Sequence, residues 1–325
     1  MSNFRWGILG TGGIARAFSE DLALLEGHSV SAVGSRTLNS AQEFAAKFPG
    51  AIAYGSYEEL VRSDVDAIYV ATPHPMHRDN AMLAMRAGKP VLCEKAFTIN
   101  GLEARELTEY ANTHRIALME AMWTRFLPHI QAIKKLIRTD VLGEITHLVA
   151  DHGQYIPYER AARLWEPELG GGALLDLGIY PLTLADLVLG TPVSIHAAAT
   201  LTEKKVDLNT AVLLKYANGA HSLLSCTMAS RGSITATIAG VKARIEIDGS
   251  FYAPTSFRLI TRDGEITEYP KIYQGNGLRE EAAEFARVVR AGEIESPLMP
   301  HAKSVEMMEL MDEIRSQIGV RYPGE

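Results

Sequence analysis

The sequence predicts an α/β protein in two parts: a doubly wound Rossmann-type parallel sheet first, then an α+β domain on a large, mostly antiparallel open sheet. Three observations carry this expectation. A glycine-rich turn, Gly7-Ile8-Leu9-Gly10-Thr11-Gly12-Gly13-Ile14-Ala15, joins an apolar strand to an amphipathic stretch near the first residue. Through about residue 120, short β-like runs alternate with helical patterns. From Val193 onward strand follows strand, until two amphipathic helices close the chain. A length of 325 residues exceeds the usual size of one core, so two domains are expected, here 1–121 and 122–325.

Taken in order, Phe4 to Leu9 reads as a strand and Ile14 to Leu25 as a helix. Strands are expected at His28–Ser35, Ala51–Tyr54, Asp66–Thr72, Pro90–Glu94 and Ile116–Glu120, with helices at Asn39–Phe48, Tyr57–Arg62, Met76–Ala87 and Gly101–Thr113. Alternating strands and helices require parallel pairing with both sheet faces covered. The ligand of such a unit lies beyond the carboxyl ends of its strands. In the second part, Leu127–Arg138 and the Gly-led segment Gly170–Leu189 read as helical, and Glu144–Asp151 as a strand. Ala211–Ala217 and Ala220–Met228 flank Asn218-Gly219, a pair suited to a type I′ hairpin turn. Strands are further expected near Ile234–Ile238, Ala243–Ile247, Phe257–Thr261 and Glu265–Tyr269, and helices at Leu278–Arg290 and His301–Ile318. One face of this sheet needs a cover, for which a second subunit is the simplest candidate, so a homodimer or higher homo-oligomer is expected.

Composition narrows the function classes. A net charge of −7, with no Lys/Arg cluster, argues against a nucleic-acid surface. No window of uncharged apolar residues reaches the length of a spanning helix, and the first residues show no basic, apolar leader pattern, so a cytoplasmic protein without a membrane partner is expected. The two cysteines, Cys93 and Cys226, lie in apolar strand-like runs and read as reduced and buried. No CxxC or HExxH spacing points to a metal.

The glycine-rich turn carries the first chemistry. Gly10 permits the turn, Gly12 lets backbone approach a pyrophosphate, and Ala15 lets helix pack closely on strand. Thr11, Gly13 and Ile14 complete a turn whose free amides and positive helix end suit phosphate. The second strand ends in Gly34-Ser35-Arg36-Thr37, with the nearest acid, Glu43, already inside the next helix. A guanidinium between two hydroxyls fits the 2′-phosphate of NADP, with NAD as the alternative. Thr72-Pro73-His74-Pro75-Met76-His77 ends the fourth strand as a rigid, extended turn, so Thr72, Pro73, His74 and His77 are candidates for the cofactor's nicotinamide end. Glu94-Lys95 follows the fifth strand and places an ammonium there. Trp123, Arg163 and Trp165, with Arg125 and Tyr155, are candidates for the substrate or cofactor rim. Asp176 and Tyr180 stand four apart in Gly170–Tyr180, so a helix puts them on one face; Pro181 predicts a break or bend beside Tyr180.

These segments resemble the glucose–fructose oxidoreductase/inositol dehydrogenase family, Gfo/Idh/MocA, in motif order and spacing: GILGTGGIA, Glu94-Lys95, then GGALLDLGIY. Within it, Leu118–Phe126 and Gly171–Tyr180 look most like the dihydrodiol and pentose dehydrogenase branch. The resemblance implies an NADP-dependent dehydrogenase acting on a small polyol, sugar or cyclic trans-diol, with dimerisation through the C-terminal sheet. It maps the family lysine to Lys95 and the family's aspartate and acid/base to Asp176 and Tyr180. Two positions depart from the commoner pattern: Ala96 where many relatives have proline, and Tyr180 where many have histidine. The chemistry fits independently. A free phenol has a pKa near 10, and a neighbouring ammonium lowers it towards usefulness. Tyr180 is thus expected to transfer the proton and Lys95 to lower its pKa and bind the substrate oxygen, with Asp176 orienting Lys95 or a substrate hydroxyl; Lys95 as direct donor is the alternative. A non-catalytic dinucleotide-binding regulator of the same fold is the other reading, and it has no use for such a set.

Overall fold

In the computed structural model, which describes residues 3–325, the first sheet has six parallel strands. Its elements run β1 (Phe4–Leu9), α1 (Gly13–Leu22), β2 (His28–Gly34), α2 (Leu38–Ala45), β3 (Ile52–Tyr54), α3 (Tyr57–Val61), β4 (Ala67–Val70), α4 (His77–Arg86), β5 (Val91–Glu94), α5 (Gly101–His114) and β6 (Leu118–Ala121). The spatial order is β3-β2-β1-β4-β5-β6, so strand order reverses between β1 and β4. That switch point is where open α/β sheets bind ligands. Every residue of β4, β5 and β6 is buried, which is why these strands read as near-continuous apolar runs rather than alternating ones. Helix α1 stops three residues before the expected end. The amides of Ala23, Leu24 and Leu25 turn back three residues instead of four, the tightened geometry common at helix ends.

The second sheet follows α6 (Pro128–Arg138) and comprises β7 (Ile145–Gly153), β8 (Ser194–Leu201), β9 (Asp207–Lys215), β10 (His221–Thr227), β11 (Ala236–Gly240), β12 (Ala243–Ile247), β13 (Phe257–Thr261) and β14 (Ile266–Tyr269). Its order is β14-β13-β12-β11-β7-β10-β9-β8, with β7 and β10 parallel and the other neighbours antiparallel. Between β7 and β8, a π turn over Leu174–Gly178 runs into α7 (Ile179–Leu189), which packs on β7 and β10. The opposite face is open, with Val149 39% and Leu223 46% exposed. Pro167–Leu189 has the length and mean hydropathy of a spanning segment but carries acidic residues, and 72% of its most apolar window is buried inside the protein.

The β9–β10 hairpin forms as expected, but its turn is not type I′. Only Gly219 of the Asn-Gly pair has positive φ, at 86°, whereas type I′ needs both. The amide of Gly219 donates to the Tyr216 carbonyl at 3.0 Å, and that of Tyr216 to the Ala220 carbonyl at 3.0 Å. This is a type I turn closed by a glycine bulge, the favoured three-residue alternative.

The chain divides into two compact units, Met1–Trp123 with Gln274–Met308, and Thr124–Tyr273 with Glu309–Glu325. A single cut at 121/122 therefore misses a returning segment that contains α8 (Arg279–Arg290) and the first part of α9 (His301–Ile318). Two contacts explain the return. Phe285 of α8 packs on Trp6, ring centroids 6.1 Å apart. Asp21, 1% exposed on α1, accepts the backbone amides of Asn276, Gly277 and Leu278 at 2.8 Å each. A carboxylate supplied from another helix thus satisfies donors at the start of α8, where negative charge is favoured.

Candidate active site

In the first unit, the turn after β1 is built to leave backbone bare. Gly10 has φ of +106°, and a Cβ there would stand 2.7 Å from the Ala71 carbonyl oxygen, so only glycine lets β1 turn against β4. Gly12 is the N-cap of α1 and makes no side-chain cap bond. A Cβ on Gly12 or Gly13 would meet nothing within 4 Å. Gly12 and Gly13 therefore border open space at the start of α1, with Thr11 and Ile14 half-buried beside them, as close approach of a pyrophosphate requires.

Beyond β2, Ser35 is buried while Arg36 and Thr37 are exposed. Thr37 serves the helix that follows: its hydroxyl oxygen accepts the Ser40 amide at 3.3 Å and caps α2. Arg36 lies close enough to Tyr57 to bear on its phenol.

The turn after β4 is pinned by its histidine. His77 is 1% exposed; its Nε2 lies 2.7 Å from the Thr72 carbonyl oxygen and its Nδ1 2.9 Å from that of Ala96. Burial pushes the imidazole down to about 4, outweighing these carbonyls, which favour a cation. A neutral imidazole carries one N–H, so His77 donates to one of these two carbonyls and only packs against the other. His74 is buried, its ring 5.6 Å from that of His77 and edge-on to it. Asn80 donates to the Thr72 hydroxyl at 3.1 Å.

Lys95 is half-buried at the end of β5, and the Lys95–Ala96 peptide is cis. Glu94, 3% exposed, accepts the Lys95 amide on Oε2 at 3.2 Å and the Tyr69 hydroxyl on Oε1. Trp123, 8% exposed, ends the continuous part of this unit.

In the second unit, Asp176 and Tyr180 lie on either side of the change from π turn to α7. Asp176 pairs with Arg163 at 3.0 Å, side-chain exposures 14% and 40%. Arg163 is therefore bound to the candidate carboxylate. Tyr180 is 5% exposed, and its ring centroid lies 4.4 Å from that of Tyr252 and 5.2 Å from that of His152. Trp165 donates to the Ile156 carbonyl at 3.1 Å and packs on the cluster of Ile156, Leu164 and Ala173. Arg125 is ion-paired with Asp186 at 2.9 Å, both nearly buried, and Tyr155 is 61% exposed.

His152 and Gln154 lie beside Tyr252, His152 also beside Tyr180, and neither stands in a sequence motif. A usable signal was present: His152 shares the alternation parity of Leu148 and Ala150 in β7, so it is a polar ring on the buried face. Both cysteines are buried, and burial pushes their thiols well above the usual range.

Comparison with known proteins agrees with this frame. Residues 4–122 match the oxidoreductase family with an NAD-binding Rossmann fold, and residues 130–246 match the GFO/IDH/MocA C-terminal domain. Trans-1,2-dihydrobenzene-1,2-diol dehydrogenase of Mus musculus is 36% identical over 332 residues, covering 98% of both chains. D-xylose 1-dehydrogenase (NADP(+)) of Hypocrea jecorina is 36% identical over 363 residues, covering 98% of this chain and 93% of the relative. Among solved structures, a 3-ketoreductase from Actinomadura kijaniata in complex with NADP and TDP-benzene superposes with a TM-score of 0.87 at 26% identity, covering 99% of each chain. A Rossmann unit with a bare glycine turn, a Glu-Lys at the end of β5 and matches across both units make this chain a member of the GFO/IDH/MocA oxidoreductase family.

Proposed function

We propose that this protein is an NADP-dependent dehydrogenase acting on a small polyol, sugar or cyclic trans-diol. The observation that carries the cofactor choice is the end of β2, where Ser35, exposed Arg36 and Thr37 stand in place of a carboxylate. An acid there would receive a ribose 2′-hydroxyl and repel a phosphate. The diol and xylose relatives, each 36% identical across almost the whole chain, support the substrate class.

A bound nicotinamide would supply the hydride acceptor for oxidation and the donor for reduction. The chain's own residues handle the proton. The Tyr180 hydroxyl exchanges it with the substrate oxygen. Lys95 contributes an ammonium that favours phenolate and binds that same oxygen. Asp176, held by Arg163, orients the substrate through its carboxylate. The amides opening α1 hold the pyrophosphate, and His77 keeps the residues around Lys95 in place. The open face of the second sheet, with Val149 and Leu223 exposed, takes a second copy of this chain.

The test follows nicotinamide absorbance with NADPH and NADH against a panel of aldoses, polyols and trans-diols. Turnover is expected with NADP(H), and both Tyr180→Phe and Lys95→Met are expected to lose it by about a hundredfold or more. Near-full turnover in both variants, with hydride transfer rate-limiting, would refute the assignment.

A further inference from the structure

Tyr180 owes its place to a proline one residue later. Pro181 has no amide hydrogen, so the Leu177 carbonyl, four residues before it, has no α-helical donor at that position. A π turn over Leu174–Gly178 lies directly upstream of this position. His152, on β7 and 1% exposed, places Nδ1 3.2 Å from the Leu177 carbonyl oxygen. Its Nε2 lies 2.9 Å from Nε2 of Gln154. A single neutral tautomer satisfies both contacts: Nδ1 carries the hydrogen and donates to Leu177, while Nε2 accepts from Gln154. The ring also packs at 4.3 Å and 23° on Tyr252, which in turn lies 4.4 Å from the Tyr180 ring. Tyr252 is anchored, since its carbonyl accepts the Thr124 hydroxyl at 2.7 Å.

We propose that His152 is a positioning residue for Tyr180, fixing the phenol by tethering the Leu177 carbonyl and by bracing the Tyr252 ring against it. The inference rests on Tyr180 being the proton-transfer group and adds what holds it. A phenol free to shift by an ångström loses alignment with the substrate oxygen, a displacement that costs up to about a hundredfold in rate. The Leu177 tether is the stronger of the two holds, because it acts on the backbone that carries the side chain.

Two substitutions separate the holds. His152→Phe keeps a ring against Tyr252 and removes the donor. His152→Asn removes the ring but leaves an amide nitrogen near the place of Nδ1. His152→Phe is expected to lower kcat by about tenfold or more with the cofactor KM unchanged, and His152→Asn to recover most of that loss. In a Tyr180→Phe background, His152→Phe is expected to cost nothing further, because its effect passes through the phenol. The Tyr180 resonance in protein labelled with 13C at tyrosine Cζ is expected to move or broaden in His152→Phe, a readout independent of turnover. Wild-type kcat in His152→Phe, an equal loss in both backgrounds, or an Asn variant as impaired as the Phe variant would each overturn the proposal. Full activity of Tyr180→Phe alone would instead overturn the assignment of the proton transfer to Tyr180 on which it rests.

Discussion

Replacing Glu281 is expected to change how the stability of the first unit depends on pH. Glu281 sits on α8 with 0% exposure, and neither carboxyl oxygen has a hydrogen-bond partner among the described residues. Burial, followed by the charges of Glu94, Glu280, Asp21 and Glu120, pushes its pKa well above 4.5. The sign follows from that direction. With the folded value raised, Glu281 weighs least on stability below about pH 4.5, where it is protonated in both states. Above that, the unfolded chain releases the proton while the folded chain keeps it, at about 1.4 kcal/mol per pH unit. The destabilisation grows at that rate until the folded carboxyl itself ionises. Glu281→Gln keeps the shape and removes the titration. Glu281→Met also removes the unsatisfied oxygens, each of which costs about 1–3 kcal/mol. Urea midpoints, with hydrogen exchange of α8 to localise the effect to the first unit, are the assay. The Gln variant is expected to match wild type below about pH 4.5 and to exceed it as the pH rises above that, with the Met variant higher at both. A Gln-to-wild-type difference that does not change with pH would refute the reasoning, because Glu281 would then have the same protonation folded and unfolded.

Other outcomes follow from the same geometry. Arg36→Ala is expected to raise the KM for NADPH by about tenfold or more and leave that for NADH nearly unchanged, since the guanidinium answers only the 2′-phosphate. Steady-state kinetics with both cofactors decides this, and parallel rises would refute it. Asp21→Ala leaves the amides of Asn276, Gly277 and Leu278 without their carboxylate, so the first unit should lose about 3 kcal/mol. Hydrogen exchange should then rise first over residues 274–290; protection equal to wild type would contradict it. Leu223→Lys puts a charge on the open sheet face, where Leu223 is 46% exposed, and should convert a dimer to monomers by light scattering without lowering the melting temperature by more than about 2 °C.

The parallel unit was legible because each of its signals is local. An apolar run, a glycine turn and a capped amphipathic helix are read from consecutive residues, and β1, α5 and α9 begin where the sequence places them. The return of residues 274–308 to that unit was not legible. It depends on Asp21 meeting the amides of residues 276–278, and an aspartate on α1 gives no sign of partners some 255 residues away. The hairpin turn lay between these cases: Asn218-Gly219 announced a reversal, but its type depends on whether one or two residues take positive φ.

The segment around Tyr180 shows the same limit at the candidate site. The spacing of Asp176 and Tyr180 and the proline after them are on the surface of the sequence, and they predict a disturbed helix. They do not say that the disturbance falls upstream, as a π turn ending at Gly178, rather than as a bend after Tyr180. At that point the Leu177 carbonyl meets Nδ1 of His152, which comes from β7, 25 residues earlier in the chain. Proline removes a hydrogen bond locally; which group replaces it is a tertiary matter. The orientation of the candidate phenol is therefore encoded in a pair, Pro181 and His152, neither of which carries any chemistry with the substrate in the proposed mechanism. Pro181→Ala is the complementary change, since it would offer Leu177 a helical amide and draw the turn back towards α geometry. If His152 acts through that carbonyl, the proline variant should lower kcat in the same direction as His152→Phe, and the two together should cost little more than the larger one alone.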